Sequence, residues 1–351
     1  MKNSVRLLSI LLVVVLAFSV FAVTASAEGE VANVTIKTNV NTVIAGDIIT
    51  VKVNVANNYY ATSMRWPVLF SNAFFELVEG SVQATDELNA LGGSSLCNEN
   101  PDNTVYTTTY YSTDYTGILV QWTAAVSATG VTPYNQEDGM DCFTFQLRAK
   151  EDINVGDSGS ILIPDDYPRF YNYILTDMEE PFSPDKVVKC ETLTHNFTSA
   201  TVECVVPELL PVENSSVVLD KDNGYIKGVA VNTGDNLDAY VYASVGDVVL
   251  EPSRSGYGTG TKVSLVHNGV TYETLTLIIA GDVNGDASVD YMDLILMDWY
   301  EEYEVTFSGV QKIAADLTGD GKVNANDKIA LDTYLNFECE IDQVTGTIVN
   351  Y

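Results

Sequence analysis

The chain has 351 residues, 48 acidic and 17 basic side chains, and a formal net charge of −31. This acidity excludes nucleic acid and anionic membranes as partners, because their phosphate groups would repel the chain. The length predicts about two or three domains, and an apolar fraction of 46% with a charged fraction of 19% indicates globular units.

The N-terminus has the features of a secretory signal peptide. Lys2 and Arg6 precede an apolar run from Leu7 to Val23, and small residues follow up to Ala27. We expect cleavage after Ala27, which makes residues 1–27 a signal peptide and the protein a secreted component of an extracellular or cell-surface complex. No later stretch is long and apolar enough to span a membrane, so none is expected to hold the chain there after cleavage.

Export permits disulfides, but the five cysteines are odd in number and widely spaced. Cys190 and Cys204 could bridge neighbouring strands, and Cys97 could meet Cys142. Buried free thiols remain an equal alternative, and the pairing stays open. A zinc site is not expected, because no CxxC or Cys/His cluster is present.

Residues 28–206 are predicted to form a β-sandwich. Apolar and polar residues alternate with period two along Ile49–Val55, Ile118–Trp122 and Phe143–Lys150, and turn-forming residues separate these runs. Many short strands with regular breaks and no helical period are typical of an antiparallel sandwich. The predicted fold class is therefore mainly β.

Two further segments precede the C-terminal region. Residues 207–214 contain two prolines and are predicted to be a linker. Residues 215–279 carry strand-like runs and are predicted to form a small β module. Its glycine cluster, Gly256–Gly260, lacks the spacing of a phosphate-binding loop and suits a tight turn.

Two copies of one acidic pattern lie near the C-terminus. Each places oxygen-bearing side chains at loop positions 1, 3, 5, 9 and 12 and a backbone carbonyl at position 7. The predicted metal ligands are Asp282, Asn284, Asp286, Ser288, Asp290 and Asp293 in the first loop, and Asp316, Thr318, Asp320, Lys322, Asn324 and Asp327 in the second. Calcium takes about six to eight oxygen ligands, and close carboxylates repel each other without a cation. The pattern predicts two calcium ions.

These loops differ from EF-hands. Position 6 is Ala287 in the first loop, position 12 is aspartate in both, and a strand-like run rather than a helix enters the first loop. A duplicated loop followed by one helix resembles the type I dockerin, with the match covering about residues 281–337. The resemblance implies a dockerin over residues 280–340, followed by a tail over residues 341–351. Thr318 departs from the family's usual Asn or Asp, so weaker calcium binding is expected at the second loop.

Dockerins attach secreted proteins to scaffolds that carry cohesins. The resemblance therefore implies a cohesin-bearing scaffold protein as partner. Loop positions 10 and 11 usually contact the cohesin, and here they are Tyr291 with Met292 and Ala325 with Asn326. The two pairs differ strongly, which argues against a symmetric interface; packing between helices is the alternative role for Tyr291 and Met292.

The N-terminal segment resembles a cohesin, the receptor of the dockerin. The resemblance implies a jelly-roll sandwich that captures a dockerin-bearing enzyme. Two polar or tyrosine-rich stretches, Gly92–Asn103 and Tyr106–Tyr115, do not fit it and suggest an insertion. The motifs that carry the resemblance are Ala45–Asp47 leading into Ile49–Val55, Trp66–Phe70 with Phe74–Gly80, and Phe143–Lys150 followed by Ile153–Gly156.

A cohesin-like domain followed by a dockerin implies a non-catalytic adaptor of a cellulosome-like, polysaccharide-degrading complex. The first alternative is a carbohydrate-binding module, in which Tyr106, Tyr110, Tyr111 and Tyr115 stack on sugar rings. Polysaccharide is therefore a possible further partner.

A glycoside hydrolase is the second alternative and needs two carboxylates across a cleft. Acidic pairs such as Glu76/Glu79 are too common here to indicate one. His195 and His267 have no nucleophile motif nearby, so no catalytic residue is predicted.

Overall fold

The computed structural model describes residues 31–99, 114–127, 130–131, 134–164, 173–176, 191–192, 194–231, 236–254, 256–302 and 305–350. The predicted signal peptide, Cys190, Tyr106, Tyr110 and Tyr111 lie outside these residues. The mainly β fold class is confirmed, with a sandwich first, a smaller β unit second and a helical unit at the C-terminus. Within the described part of the chain, no helix is long and apolar enough to cross a membrane.

The described residues of the N-terminal unit form strands, of which the third and the eleventh are long, and a five-residue helix. In chain order these are β1 (Val31–Thr38), β2 (Thr42–Val43), β3 (Ile48–Ala61), β4 (Ser63–Ser71), β5 (Phe75–Leu77), β6 (Gln83–Ala84), α1 (Asp86–Ala90), β7 (Ser94–Asn98), β8 (Tyr115–Thr123), β9 (Val126–Ser127), β10 (Gly130–Val131), β11 (Tyr134–Ala149), β12 (Ser158–Leu162), β13 (Tyr173–Thr176), β14 (Glu191–Thr192), β15 (Thr194–Thr198) and β16 (Ala200–Cys204).

Two sheets face each other in this unit. One has the strand order β15-β1-β3-β11-β5, with β6 also on β11; the other has the order β14-β13-β4-β12-β16-β2, with β8 on β4 and β7 on β8. Most pairings are antiparallel as expected, but β1 with β15 and β2 with β16 are parallel. Such parallel pairs arise where a strand returns to a sheet edge after a long excursion rather than through a hairpin.

The predicted alternation places the apolar residues between the two sheets. Val51, Val53 and Phe143 point inward from one sheet, and Trp66 and Trp122 from the other; all five are fully buried. Period-two alternation in a strand sends successive side chains to opposite faces, so this burial follows directly from the sequence.

The cysteines that the structure describes are free thiols: Cys97, Cys142 and Cys204 in this unit and Cys339 in the C-terminal unit. The Cys97–Cys142 bridge is therefore not formed; Cys142 is fully buried, whereas Cys97 is only half-buried. Cys142 instead lies 3.6 Å from the Tyr134 hydroxyl, to which its thiol donates.

The middle unit is built on a five-stranded sheet and a two-stranded ribbon. Its elements are β17 (Leu209–Pro211), β18 (Val218–Asp220), β19 (Tyr225–Lys227), a 3-10 helix (Leu237–Ala239), β20 (Val241–Ala243), β21 (Asp247–Glu251), β22 (Lys262–His267) and β23 (Val270–Leu277). Strand β17 pairs with β20, and Leu209 is fully buried in the core of this unit. The segment expected to be a linker over residues 207–214 thus contributes a strand to the fold.

The C-terminal unit has three helices and a hairpin. They are α2 (Tyr291–Glu301), α3 (Gly309–Ala315), α4 (Ala325–Leu335), β24 (Cys339–Asp342) and β25 (Thr347–Asn350). The sequence predicted a helix after each acidic loop but not α3, although Ser308 and Gln311 form a capping box that marks its start. The residues expected to be a tail over 341–351 mostly belong to the hairpin.

The middle unit contacts both of its neighbours. The Asp47 carboxylate of the sandwich lies 2.8 Å from Nε2 of His267 and accepts a 2.8 Å hydrogen bond from the Asn268 amide of the middle unit. In the C-terminal hairpin, the Gln343 side chain exchanges two hydrogen bonds with the backbone of Ala280, and the backbone carbonyl of Gln343 accepts from the Gly228 N–H. Polar groups at these junctions are thus satisfied by the neighbouring unit.

Candidate calcium loops and docking helices

The first acidic loop is closed by a fully buried aspartate. Asp293 Oδ1 accepts hydrogen bonds from the backbone N–H groups of Val283 (2.8 Å) and Asn284 (2.9 Å), and Oδ2 accepts from Asp290 N–H (2.9 Å). Asp290 caps helix α2, and Asp293 occupies the third position of that helix, so the two form a capping box. One carboxylate therefore ties the start of the loop to the start of the helix.

The first residue of this loop is equally buried. Asp282 Oδ1 accepts from the N–H groups of Gly285 (2.8 Å) and Asp286 (3.1 Å), so the chain wraps around the carboxylate. Burial raises the pKa of Asp282, and the nearby Asp286 charge raises it further. Burial also raises the pKa of Asp293 to about 7, with the Asp282 charge adding to the shift. Buried carboxylates that resist ionisation are those that a cation would stabilise most.

The second loop repeats the arrangement with more exposure to solvent. Carboxylate oxygens of Asp316, Asp320 and Asp327 lie within 4.8 Å of one another. Asp327 is fully buried and accepts from Thr318 N–H (3.0 Å) and Asn324 N–H (2.9 Å), as Asp293 does in the first loop. Thr318 donates its hydroxyl to Asp327 Oδ1 at 2.8 Å. Asp320 and the loop around it are exposed.

The remaining predicted ligands divide into two groups. The Asn284 amide donates to Asp286 Oδ2 at 2.9 Å, so these side chains share one side of the first loop. Asp290 and Asn324 at position 9 instead accept from backbone N–H groups as helix N-caps. Position 9 often acts through water in calcium loops, and position 7 (Ser288, Lys322) offers its carbonyl. The all-oxygen donor set fits calcium.

The predicted docking residues are exposed. The side chains of Tyr291 and Met292 on α2 are 56% and 55% exposed. Ala325 and Asn326 occupy the corresponding first turn of α4 and are exposed too. Packing between helices, the alternative role for Tyr291 and Met292, does not account for this exposure.

Sequence reasoning missed the continuation of the apolar face along α2. Ile295 and Trp299 are 38% and 44% exposed and follow Tyr291 at helical spacings of four and eight residues. The helical period could have found them, because both lie on the face that Tyr291 begins. At the equivalent positions of α4, the only large apolar residue is Ile329, and it is 64% exposed.

In the absence of calcium, the C-terminal unit is expected to lose stability as the pH rises from about 4 to about 7. Asp293 has a pKa of 3.8 when unfolded and about 7 when folded, so the native state keeps a proton that the unfolded chain has released. The stabilisation is complete below the unfolded pKa and is lost as the pH rises through the folded pKa. It amounts to at most about 4 kcal/mol.

Calorimetry in EDTA at several pH values measures this effect. An Asp293→Asn variant, which cannot ionise, is expected to flatten the profile over the same range. A wild-type unfolding free energy in EDTA that is constant or increases between pH 4 and pH 7 would contradict the expectation.

The residues considered for other functions make structural contacts. Tyr115 is half-buried, and its hydroxyl lies 3.0 Å from Ser160 Oγ, so it offers no open stacking platform. The His195 ring packs on Phe197 with centroids 4.7 Å apart, and Glu76 pairs with Arg148 at 3.4 Å. These contacts favour neither a sugar platform nor a hydrolase.

In comparisons with known proteins, the C-terminal region matches a protein family. Residues 280–336 match the type I dockerin domain. The search of curated proteins gave no match. Type I dockerins bind calcium in general and pair with cohesins.

Solved structures similar to the N-terminal half are cohesins. The sixth cohesin of Acetivibrio cellulolyticus scaffoldin B, solved with a Cel5 dockerin, is 12% identical with a TM-score of 0.33, covering 50% of this chain and 100% of that one. The seventh ScaB type I cohesin of Pseudobacteroides cellulosolvens is 12% identical with a TM-score of 0.34, covering 52% and 96%. The Clostridium thermocellum Coh-OlpA–Doc918 complex is 13% identical with a TM-score of 0.31, covering 49% of this chain and 99% of that one. At these values the likeness carries no argument about function.

Proposed function

We propose, from the match of residues 280–336 to the type I dockerin domain, that this chain is a secreted, non-catalytic adaptor of a cellulosome-type complex. Its dockerin binds two calcium ions and docks onto a cohesin-bearing scaffold protein. Its N-terminal sandwich captures a dockerin-bearing enzyme, as the cohesin-like motifs of residues 31–206 suggest. No bond is made or broken; the adaptor brings an enzyme to a scaffold.

One structural observation supports the docking part of this proposal. The two acidic loops have the same internal geometry, in which a fully buried aspartate, Asp293 or Asp327, accepts N–H groups from both ends of its loop. Each loop leads into a helix whose first turn is exposed. Such loops hold both helices in a fixed orientation once the cation neutralises the carboxylates.

The residues of each loop would hold the ion in similar ways. Side-chain oxygens at positions 1, 3, 5, 9 and 12 and the carbonyl at position 7 supply the ligands, as the sequence predicted, with position 9 acting through water. Bound calcium supplies charge neutralisation and fixes the loop. The hydrogen bonds to Asp293 and Asp327 keep these carboxylates in place before the ion arrives, which lowers the ordering cost of binding.

The two sites are expected to differ in affinity by about tenfold, with the second weaker. The first loop is buried, whereas the second is exposed and uses a neutral hydroxyl, Thr318, at position 3. Calcium titration of Asp286→Ala and Asp320→Ala measures this, because each variant removes position 5 of one loop. The Asp320→Ala chain should bind its remaining ion more tightly. Equal affinities, or tighter binding by Asp286→Ala, would contradict the expectation.

A further inference from the structure

The first calcium loop does not stand alone in the fold. The turn formed by Ser253 and residues 256–260 of the middle unit, between β21 and β22, lies directly against it. Val289, inside the loop, packs on the apolar clusters of both the middle and the C-terminal units. The loop therefore sits at the junction of two units.

A backbone donor of this turn reaches a calcium ligand. The N–H of Thr259 donates to Asp282 Oδ2 at 2.8 Å, and both residues are buried, with Thr259 3% and Asp282 0% exposed. The Thr259 hydroxyl is itself fixed, because it donates to the carbonyl of Ile279 and accepts from the Ile279 N–H, both at 3.0 Å. The turn thus orients the first ligand of the loop from outside.

The turn and the loop are also joined by a serine. Ser253 Oγ donates to the carbonyl of Thr259 at 2.8 Å and lies 3.3 Å from the carbonyl of Gly285 in the loop. The same hydroxyl therefore touches the backbone on both sides of the junction. Its position fixes the spacing between the turn and the loop.

The approach of the two backbones requires glycine at one position. A Cβ on Gly258 would lie 2.4 Å from Ala287 N and 2.5 Å from Asp282 Oδ2, closer than such atoms approach. Gly258 does not have a positive φ, so its backbone conformation is open to other residues. Glycine is needed here because the calcium loop lies against it.

The second loop receives no matching support in the described contacts. Asp316, its first residue, accepts from Asp320 N–H (3.1 Å) and Gly321 N–H (2.8 Å), both within the same loop. Asp316 is half-buried, whereas Asp282 is fully buried. The two repeats thus differ in what surrounds the first ligand, although their internal geometry is alike.

We propose that the turn formed by Ser253 and residues 256–260 contributes to calcium binding at the first site, with Thr259 as its positioning residue. This inference rests on the proposed function, in which the first loop binds calcium. Donors that orient a ligand from the outer shell raise metal affinity by about 10- to 100-fold. Because coupling between two equilibria is reciprocal, calcium at the first loop must in turn stabilise the middle unit.

The test uses calcium titration of the full chain with a Gly258→Ala variant. The added methyl pushes the turn away from Asp282, so the affinity of the first site is expected to fall about tenfold or more, while the second site keeps its affinity. Gly309→Ala is the matched control, because Gly309 also lacks a positive φ and a Cβ there would meet nothing within 4 Å. The control should leave both affinities unchanged. Thr259→Val, which removes the hydroxyl but keeps the shape, should act on the first site as Gly258→Ala does.

Amide hydrogen exchange gives a second readout, which does not depend on the Gly258 and Thr259 variants. Calcium is expected to slow exchange at Thr259 and along β22 and β23, and Asp286→Ala should remove that slowing. First-site affinity unchanged in both Gly258→Ala and Thr259→Val, or exchange in the middle unit unaffected by calcium, would overturn the inference. A different result would contradict the proposed function itself. If the first loop did not bind calcium, Asp286→Ala would leave the number of bound ions unchanged.

Discussion

Removing calcium is expected to abolish docking of the chain onto its cohesin-bearing scaffold. Without the ion, Asp282 and Asp293 are buried carboxylates with raised pKa values, and Asp282 and Asp286 repel each other. The loops must then become ordered when the chain binds, and the free energy of ordering reduces the binding free energy. Coupled ordering of this kind costs about 2–5 kcal/mol, which corresponds to about 30- to 5,000-fold in Kd.

Surface plasmon resonance on an immobilised cohesin of the scaffold measures this effect. The chain is injected in calcium and in EDTA, and the Asp286→Ala/Asp320→Ala double variant is injected in calcium. The double variant separates an effect on the dockerin from an effect of EDTA on the cohesin. Asp332→Ala removes an exposed carboxylate of α4 outside the loops and serves as the control. Undiminished binding in EDTA would contradict the proposed calcium dependence.

Docking is expected to depend on α2 far more than on α4. Along α2 the exposed face presents Tyr291, Met292, Ile295 and Trp299. In the second repeat, the corresponding α4 positions are Ala325, Asn326, Ile329 and Thr333. Large aromatic residues dominate interface energies, with losses of about 2 kcal/mol or more on truncation, or about 30-fold in Kd. The chain should therefore bind in one orientation, with α2 against the cohesin.

The same binding assay tests this with paired variants. Tyr291→Ala and Trp299→Ala should each weaken binding by about 30-fold or more, while Asn326→Ala should change it by less than about threefold. Calcium stoichiometry and thermal stability of each variant show that the loops remain intact. Equal losses from Tyr291→Ala and Asn326→Ala would indicate a symmetric interface and contradict the expectation.

Local patterns predicted much of the fold. Period-two alternation in β3 and β11 identified the inward-facing residues, because side-chain direction in a strand follows from position alone. The calcium-loop spacing likewise anticipated the matching roles of Asp293 and Asp327, since both loop and capping box are local in sequence.

Features that depend on distant contacts could not be predicted in this way. The hairpin of β24 and β25 is held by Ile341 and Ile348, which pack on the apolar cluster of the C-terminal unit, and by Gln343, which bonds to Ala280 and Gly228 far back in the chain. Strand β17 could not be predicted either, because it forms by pairing with β20, about 30 residues later in the chain. The approach of Gly258 to the first calcium loop was also invisible, because a glycine-rich turn has the same sequence whatever lies against it.

The central claim is that one chain joins an enzyme to a scaffold. The most direct measurement uses the full chain, and separately the Asp286→Ala/Asp320→Ala variant, as immobilised bait in calcium for the secreted proteins of its own organism, with mass spectrometry of what is retained. The wild-type chain is expected to retain both a cohesin-bearing scaffold and dockerin-bearing enzymes, and the variant is expected to retain the enzymes alone. Absence of dockerin-bearing enzymes from both samples, with the chain retained on insoluble polysaccharide, would contradict the adaptor function and make the N-terminal sandwich a carbohydrate binder.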